Sequence, residues 1–127
     1  MSMADYAEIE AMKYLFTAEA MGTRPTAWYV ALHTGDPSDT GTANEVFAAW
    51  YARQPVTLTR TLGTMANSGV INFATITGAG VTITHISIKD AVSGGNTLAV
   101  LPQSPSKVLA VGDIASIANG ALTFSLD

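Results

Sequence analysis

Hydrophobic and polar positions follow two different periods along this chain, and the change falls near residue 22. Residues 4–21 contain neither Gly nor Pro and are rich in Ala, Glu, Met and Leu, a helical composition that Gly22 is placed to stop. At about 100° per residue, Tyr6, Ile9, Met12, Phe16 and Ala20 share one sector, with Glu8, Glu10, Thr17 and Glu19 beside or opposite it. That sector either packs on the chain's own domain or docks on a partner subunit. From Arg24 onward, short β-branched and aromatic runs are separated by Gly, Asn, Pro and Ser, the pattern of a sandwich or barrel. Strands are expected at 27–33, 55–61, 69–73, 81–90, 97–101, 113–117 and 122–126.

Details within these runs sharpen the expectation. Val81 and Ile83 occupy odd positions whereas Ile86 and Ile88 occupy even ones, so one flat strand cannot bury both pairs on one face. A bulge or bend near Thr84 and His85 follows. Asn119-Gly120 can supply both positive φ angles of a type I′ hairpin, and Gly94-Gly95-Asn96 can reverse the chain after Asp90. These turns predict the last four strands as antiparallel neighbours. Pro102 and Pro105 cannot donate to a central ladder, so the strand ends there or lies at an edge. Gly112-Asp113 marks a turn, which leaves 106–111 as a short connecting or edge strand. No internal repeat, heptad or low-complexity tract is evident. The expected fold is mainly β: an antiparallel β-sandwich, jelly-roll or immunoglobulin-like, with an N-terminal α-helix. One domain is expected over 1–127, with the helix at about 4–21 and the sandwich at about 24–127.

Composition narrows the function. With 48% hydrophobic and only 13% charged residues in 127, the chain can bury a core yet leaves a surface of Ser, Thr, Asn, Gly and Ala suited to packing against neighbours. The net charge is −4, and the six cations, Lys13, Arg24, Arg53, Arg60, Lys89 and Lys107, are scattered, so nucleic acid is not an expected partner. There is no cysteine, which removes disulfides and thiolate chemistry. No apolar stretch approaches the roughly 18 residues that would cross a bilayer, and the acidic N-terminus does not resemble a signal peptide. A soluble protein with no membrane partner is expected.

Candidate chemistry is thin. His33 or His85 with Asp36 and a serine would make a nucleophilic triad only in outline, because no Gly-x-Ser-x-Gly elbow accompanies them. Asp36, Asp39 and Glu45 invite a calcium reading, but Pro37 and Ser38 interrupt the ligand spacing and Glu45 comes too early. The preferred reading is a turn in which Asp36 accepts from nearby backbone N–H groups while Pro37 presets φ. No catalytic residue, metal or cofactor is expected. Trp28, Tyr29, Trp50 and Tyr51 serve as core, as subunit interface or as a ligand surface. Arg53 either pairs with Glu45 or another loop carboxylate, tying the loop to its strand, or is solvated.

One stretch carries a likeness. Ala31, Leu32, Thr34, Asp36, Pro37, Asp39, Gly41, Thr42, Glu45 and Val46, followed by Tyr51 to Gln54 and Val56, match an ALxTxDPxDxGTxxEV loop and YARQxV strand. This order resembles small structural proteins of tailed bacteriophages known as tail fibre, minor tail or head-associated proteins. Thr84 to Asp90 before Ser93-Gly94-Gly95-Asn96, and the closing 120–127, also fit. Phe47-Ala48-Ala49-Trp50 replaces a usual glycine-rich spacer, and Gly78-Ala79-Gly80 replaces a central Trp-Gly. The resemblance implies a non-enzymatic virion component, assembled in the bacterial host cytoplasm as a symmetric trimer or hexamer alongside other virion proteins. Tail placement is favoured over head decoration. The candidate interface is Trp28, Asp36, Asp39, Glu45, Trp50, Tyr51 and Arg53. The alternative is a carbohydrate- or receptor-binding module that meets a host surface glycan.

Overall fold

The structure, a computed structural model, describes residues 2–125. Leu126, the expected end of the last strand, and Asp127 of the closing motif lie outside the described residues. Along the chain come β1 (Ser2–Met3), α1 (Asp5–Phe16), β2 (Tyr29–His33), β3 (Gln54–Pro55), β4 (Leu58–Thr61), β5 (Thr64–Asn67), β6 (Ile71–Thr75), β7 (Val81–Lys89), β8 (Thr97–Leu109), β9 (Ile114–Ile117) and β10 (Thr123–Ser125). The fold is mainly β with one N-terminal helix, and every strand pairing is antiparallel. One layer is a five-stranded sheet in the order β1-β8-β7-β2-β3, and the remaining strands form a three-stranded sheet, β10-β5-β4, and a pair, β6-β9. Val30, Leu32, Ile86, Ile88, Ala99 and Leu101 of the large sheet meet Ile71, Phe73, Ala115 and Leu122 in one buried cluster. Burial of these apolar faces is the main force holding the layers together.

The phase switch in β7 has the expected consequence. Ile83 pairs with Lys107 and His85 with Pro102, so β7 advances from 83 to 85 while β8 uses 107 to 102. Four residues of β8, Gln103 to Ser106, lie opposite the single Thr84, so Pro105 falls outside the ladder while Pro102 stays in it opposite His85. Ile83, Ile86 and Ile88 consequently all reach the core. Of the two alternatives that Pro102 and Pro105 left open, the second holds: β8 continues past them to Leu109, and from Pro102 onward it pairs with β7 alone, at the edge of the sheet, because β1 reaches only Ala99 and Val100. The Gly94-Gly95 turn does reverse the chain, both glycines taking positive φ while the Asp90 carboxylate accepts from the Asn96 backbone and side-chain N–H groups.

Other expectations are corrected. The last four strands are not successive neighbours: β9 pairs with β6 and β10 with β5. Gly120 has φ +76 but Asn119 is not at positive φ, so the turn is not type I′. Asn119 is instead used at long range, its Oδ1 accepting from the Gly69 N–H at 2.8 Å. Beside it the buried Asn67 donates to the carbonyls of Gly69 and Ala118 and accepts from the Leu122 N–H, stitching the two short sheets together. The run 55–61 splits between two sheets around Val56 and Thr57. Strand β5, Thr64-Met65-Ala66-Asn67, was not anticipated because it lacks a β-branched run; its flanking partners β4 and β10 hold it. Helix α1 stops at Phe16 rather than Met21. Thr17 is extended, its hydroxyl lies against the Lys13 carbonyl, and the Gly22 N–H donates to the Glu10 carboxylate, so the chain folds back along the helix.

Candidate interaction surface

The loop after β2 is held at five places, each by a different part of the chain. The backbone leaves β2 at His33 and returns antiparallel to it, with Thr34 N–H bonded to the Asn44 carbonyl and Val46 N–H to the Leu32 carbonyl, both at 2.9 Å. Asp36 accepts from the Ser38 N–H at 2.9 Å, the turn expected from Asp36-Pro37, and Pro37 is fully buried beneath it. Ser38, Gly41 and Asn44 take positive φ to close the turns. At the far side, the Asp39 carbonyl accepts from the Asp5 N–H, so the loop also caps the start of α1.

Buried side chains pin the loop from inside. His33 is wholly enclosed; its Nδ1 lies 2.8 Å from the Ala43 carbonyl and its Nε2 2.8 Å from Ser87 Oγ. A carbonyl only accepts, so Nδ1 carries the proton and Nε2 accepts from the Ser87 hydroxyl. Burial lowers the His33 pKa below its ordinary value, against the opposing effect of the Ala43 bond. Ser87 is equally enclosed, and Asp36 bonds elsewhere, so the His33-Ser87 contact is a latch within the fold. Lys89 is also buried; its Nζ donates to the Gly41 carbonyl and to Thr97 Oγ1. Burial is the main cause of its lowered pKa, with the Arg53 charge adding to it. Gly41 is required here: at φ +70, a Cβ would run into the Thr97 side chain.

Glu45, Tyr51 and Arg53 are brought together. Arg53 grips Glu45 in two parallel bonds, Nε to Oε2 and Nη2 to Oε1, both 2.8 Å. Its Nη1 reaches across to the carbonyls of Ala91 at 3.0 Å and Gly94 at 2.8 Å, joining the loop to the β7–β8 turn. The Tyr51 hydroxyl donates to Glu45 Oε2 at 2.9 Å and accepts from the Leu32 N–H at 3.2 Å. Burial acts to raise the Glu45 pKa, but the bonds from Arg53 and Tyr51 and the Arg53 charge outweigh it and the net shift is downward. Burial pushes the Tyr51 phenol up. Arg53 is thus paired rather than solvated, and both partners' side chains are largely sheltered, 11% and 21% exposed.

The other expected residues lie apart. Trp50 is buried in the chain's own core, edge-on to Tyr51, which stacks on Phe73. Trp28 is half-buried beneath the helix, in an apolar groove with Met3, Leu58, Met65 and Phe124. Asp36 and Asp39 are exposed on the loop, and among the described residues no group of three or more His, Cys, Asp or Glu gathers in a way that would hold a metal. Phe47 is not among the expected interface residues. Its ring is fully exposed, on a ridge between a cleft that includes Val46, Trp50 and Val81 and another that includes Arg53, Val92 and Ser93. The sequence signal for it is the departure Phe47-Ala48-Ala49-Trp50 from a glycine-rich spacer. The sequence offers His33 as a strand residue or as part of an outline triad with Asp36, and Lys89 as a strand residue; the roles they take depend on partners 54 and 48 positions away in sequence.

The likeness carried by residues 31–56 extends over the chain. No curated protein sequence matches it. Its match to a family of phage fibre proteins runs from residue 2 to residue 125, and on that basis the chain belongs to the family described as Podophage GP4 fiber I protein gp80.

Proposed function

We propose that this chain is a non-enzymatic structural component of a tailed-phage virion, built into the tail fibre region rather than decorating the head, and repeated there as a symmetric trimer or hexamer. The observation that carries the reading is the near full-length match to a podophage fibre family. The surface agrees with it: Phe16, Phe47, Leu62 and Val108 are each largely exposed on a chain with few charges, as expected of a building block whose neighbours cover it. Immunogold labelling of intact particles with an antibody against this chain tests the location. Gold confined to the tail supports the reading, and gold spread over the capsid shell overturns it.

Phe47 favours a second reading. An exposed ring flanked by clefts can stack on a sugar face, so a fibre subunit of this kind would meet a host glycan there. Glycan-array binding that Phe47→Ala abolishes, with the fold intact, supports it; binding unchanged by Phe47→Ala sinks it.

A further inference from the structure

Helix α1 carries an apolar stripe that nothing in the described chain covers. Ile9, Met12, Leu15 and Phe16 are 48%, 53%, 65% and 80% exposed, and no residue of the helix is buried. The opposite side, with Tyr6, Ala7, Glu10 and Ala11, faces Leu98 and the returning chain at 21–25. Ile9, Met12 and Phe16 are spaced i, i+3, i+7, one a-d-a set within a 12-residue helix too short to show a heptad repeat. Leu15 widens the stripe to roughly 120° of the helix circumference, broader than a two-helix seam requires. The exposed parts of these four side chains come to on the order of 500 Å² per chain, so three copies would cover about 1,500 Å² together, about 500 Å² at each of the three contacts; the stripe is therefore the apolar centre of an interface that its flanking residues must complete.

The flanking charges select an orientation. In this register Glu8 is at g and Lys13 at e. Parallel packing of identical helices sets g of one against e of its neighbour five residues on, so each Glu8 meets a neighbour's Lys13. Antiparallel packing sets e against e and g against g, which pairs Lys13 with Lys13. Lys13 already bonds Glu10 at 2.9 Å and retains further N–H donors for a second carboxylate. Asp5 occupies the preceding d position and ends the seam with a charge, at the helix N-terminus where the dipole favours it.

We propose that α1 is the self-assembly element, three copies packing their helices in parallel about a three-fold axis through Ile9, Met12, Leu15 and Phe16, with Glu8–Lys13 pairs between neighbours. This rests on the homo-oligomer reading above. The test uses the full chain and sedimentation equilibrium. Wild type sediments as a trimer, Met12→Asp as a monomer with an unchanged circular dichroism spectrum. Glu8→Lys and Lys13→Glu each raise the dissociation constant about tenfold, and the two together regain most of the loss. Because the native chain has no cysteine, Met12→Cys gives a clean disulfide-linked pair on oxidation only if the d positions abut. A wild-type trimer that survives Met12→Asp, or a charge swap with no recovery, overturns the helix contact and leaves the homo-oligomer standing. A wild-type monomer at tens of micromolar overturns both.

Discussion

Replacing Arg53 by Ala removes four hydrogen bonds at once: two to Glu45 and one each to the carbonyls of Ala91 and Gly94. The two carbonyls sit near solvent and recover water. Glu45 does not, since its carboxylate keeps only the Tyr51 hydroxyl in a site where its side chain is 21% exposed. An exposed ion pair contributes about 0–1 kcal/mol and breaking a buried one costs about 3–5 kcal/mol, so this sheltered bidentate pair falls between, at about 2–3 kcal/mol. For a domain of this size that is a fall in Tm of roughly 10 °C. Urea unfolding followed by tryptophan fluorescence measures it, with m unchanged because the core is untouched. Arg53→Lys keeps the charge but not the fork, and is expected to lose about half as much. In a double-mutant cycle with Glu45→Gln the coupling is expected at about 1.5 kcal/mol or more. A loss under about 0.5 kcal/mol, or strictly additive single mutants, would show that the pair is merely a solvated surface contact.

Gly41→Ala forces a Cβ into Thr97 at positive φ, whereas Gly78→Ala meets only the φ penalty in open space. Losses of about 3 and about 1 kcal/mol are expected by chemical denaturation, and equal losses would remove the case for close approach at Gly41. Acid is expected to act in two stages. The folded pKa of His33 is below 6.5, so the unfolded chain takes up its proton first; stability from the neutral ring is complete above about pH 6.5 and is lost as pH falls toward the folded value. The contribution of Glu45 is complete above pH 4.5 and is lost as pH drops through its lowered folded pKa. His33→Gln should abolish the first stage in a Tm-against-pH series, and a slope that persists in the variant would assign it elsewhere. Leu62 sits at the β4–β5 turn with φ +54 and 87% exposure. Leu62→Asn should raise stability by about 0.5–1 kcal/mol in a thermal melt, because Asn tolerates that backbone and nothing buried is lost; a fall would mean that Leu62 packs where no contact is evident.

What was legible depended on how far apart in sequence the partners lie. The bulge opposite Thr84 and His85 was readable because the conflict sits within one strand, Val81 and Ile83 against Ile86 and Ile88. The Asp36-Pro37 turn and the Gly94-Gly95 reversal were readable for the same reason. Asn119-Gly120 looked equally local and misled, since Asn119 spends its side chain on Gly69 and so never needs positive φ. Which strands face one another was not readable: β5 has weak intrinsic preference and exists because β4 and β10 flank it. In the interaction surface, Arg53 with Glu45 is a short-range pair that spacing suggested. Lys89 with Gly41 and His33 with Ser87 are long-range, and a buried lysine is the last role that composition assigns to one.

The pinned loop and the bare helix together say how this chain divides its interactions. Asp36 to Glu45 is a long polar segment of the kind that usually moves, yet the Asp5 N–H fixes Asp39, Lys89 fixes Gly41, His33 fixes Ala43, and Tyr51 and Arg53 together fix Glu45, so little conformational entropy is left to lose when a neighbour binds there. The same loop, through the Asp39 carbonyl, holds the first turn of α1, whose outward side chains the chain leaves in water. A fixed geometry between loop and helix follows from that single backbone bond and from β1 pairing with β8 beside it. Loosening the loop by Arg53→Ala is therefore expected to weaken helix-mediated association as well as stability, whereas Met12→Asp should abolish association and leave the urea midpoint of the monomer unchanged. An Arg53→Ala protein that is destabilised but associates with wild-type affinity would separate the two surfaces and limit the loop's role to holding the sandwich together.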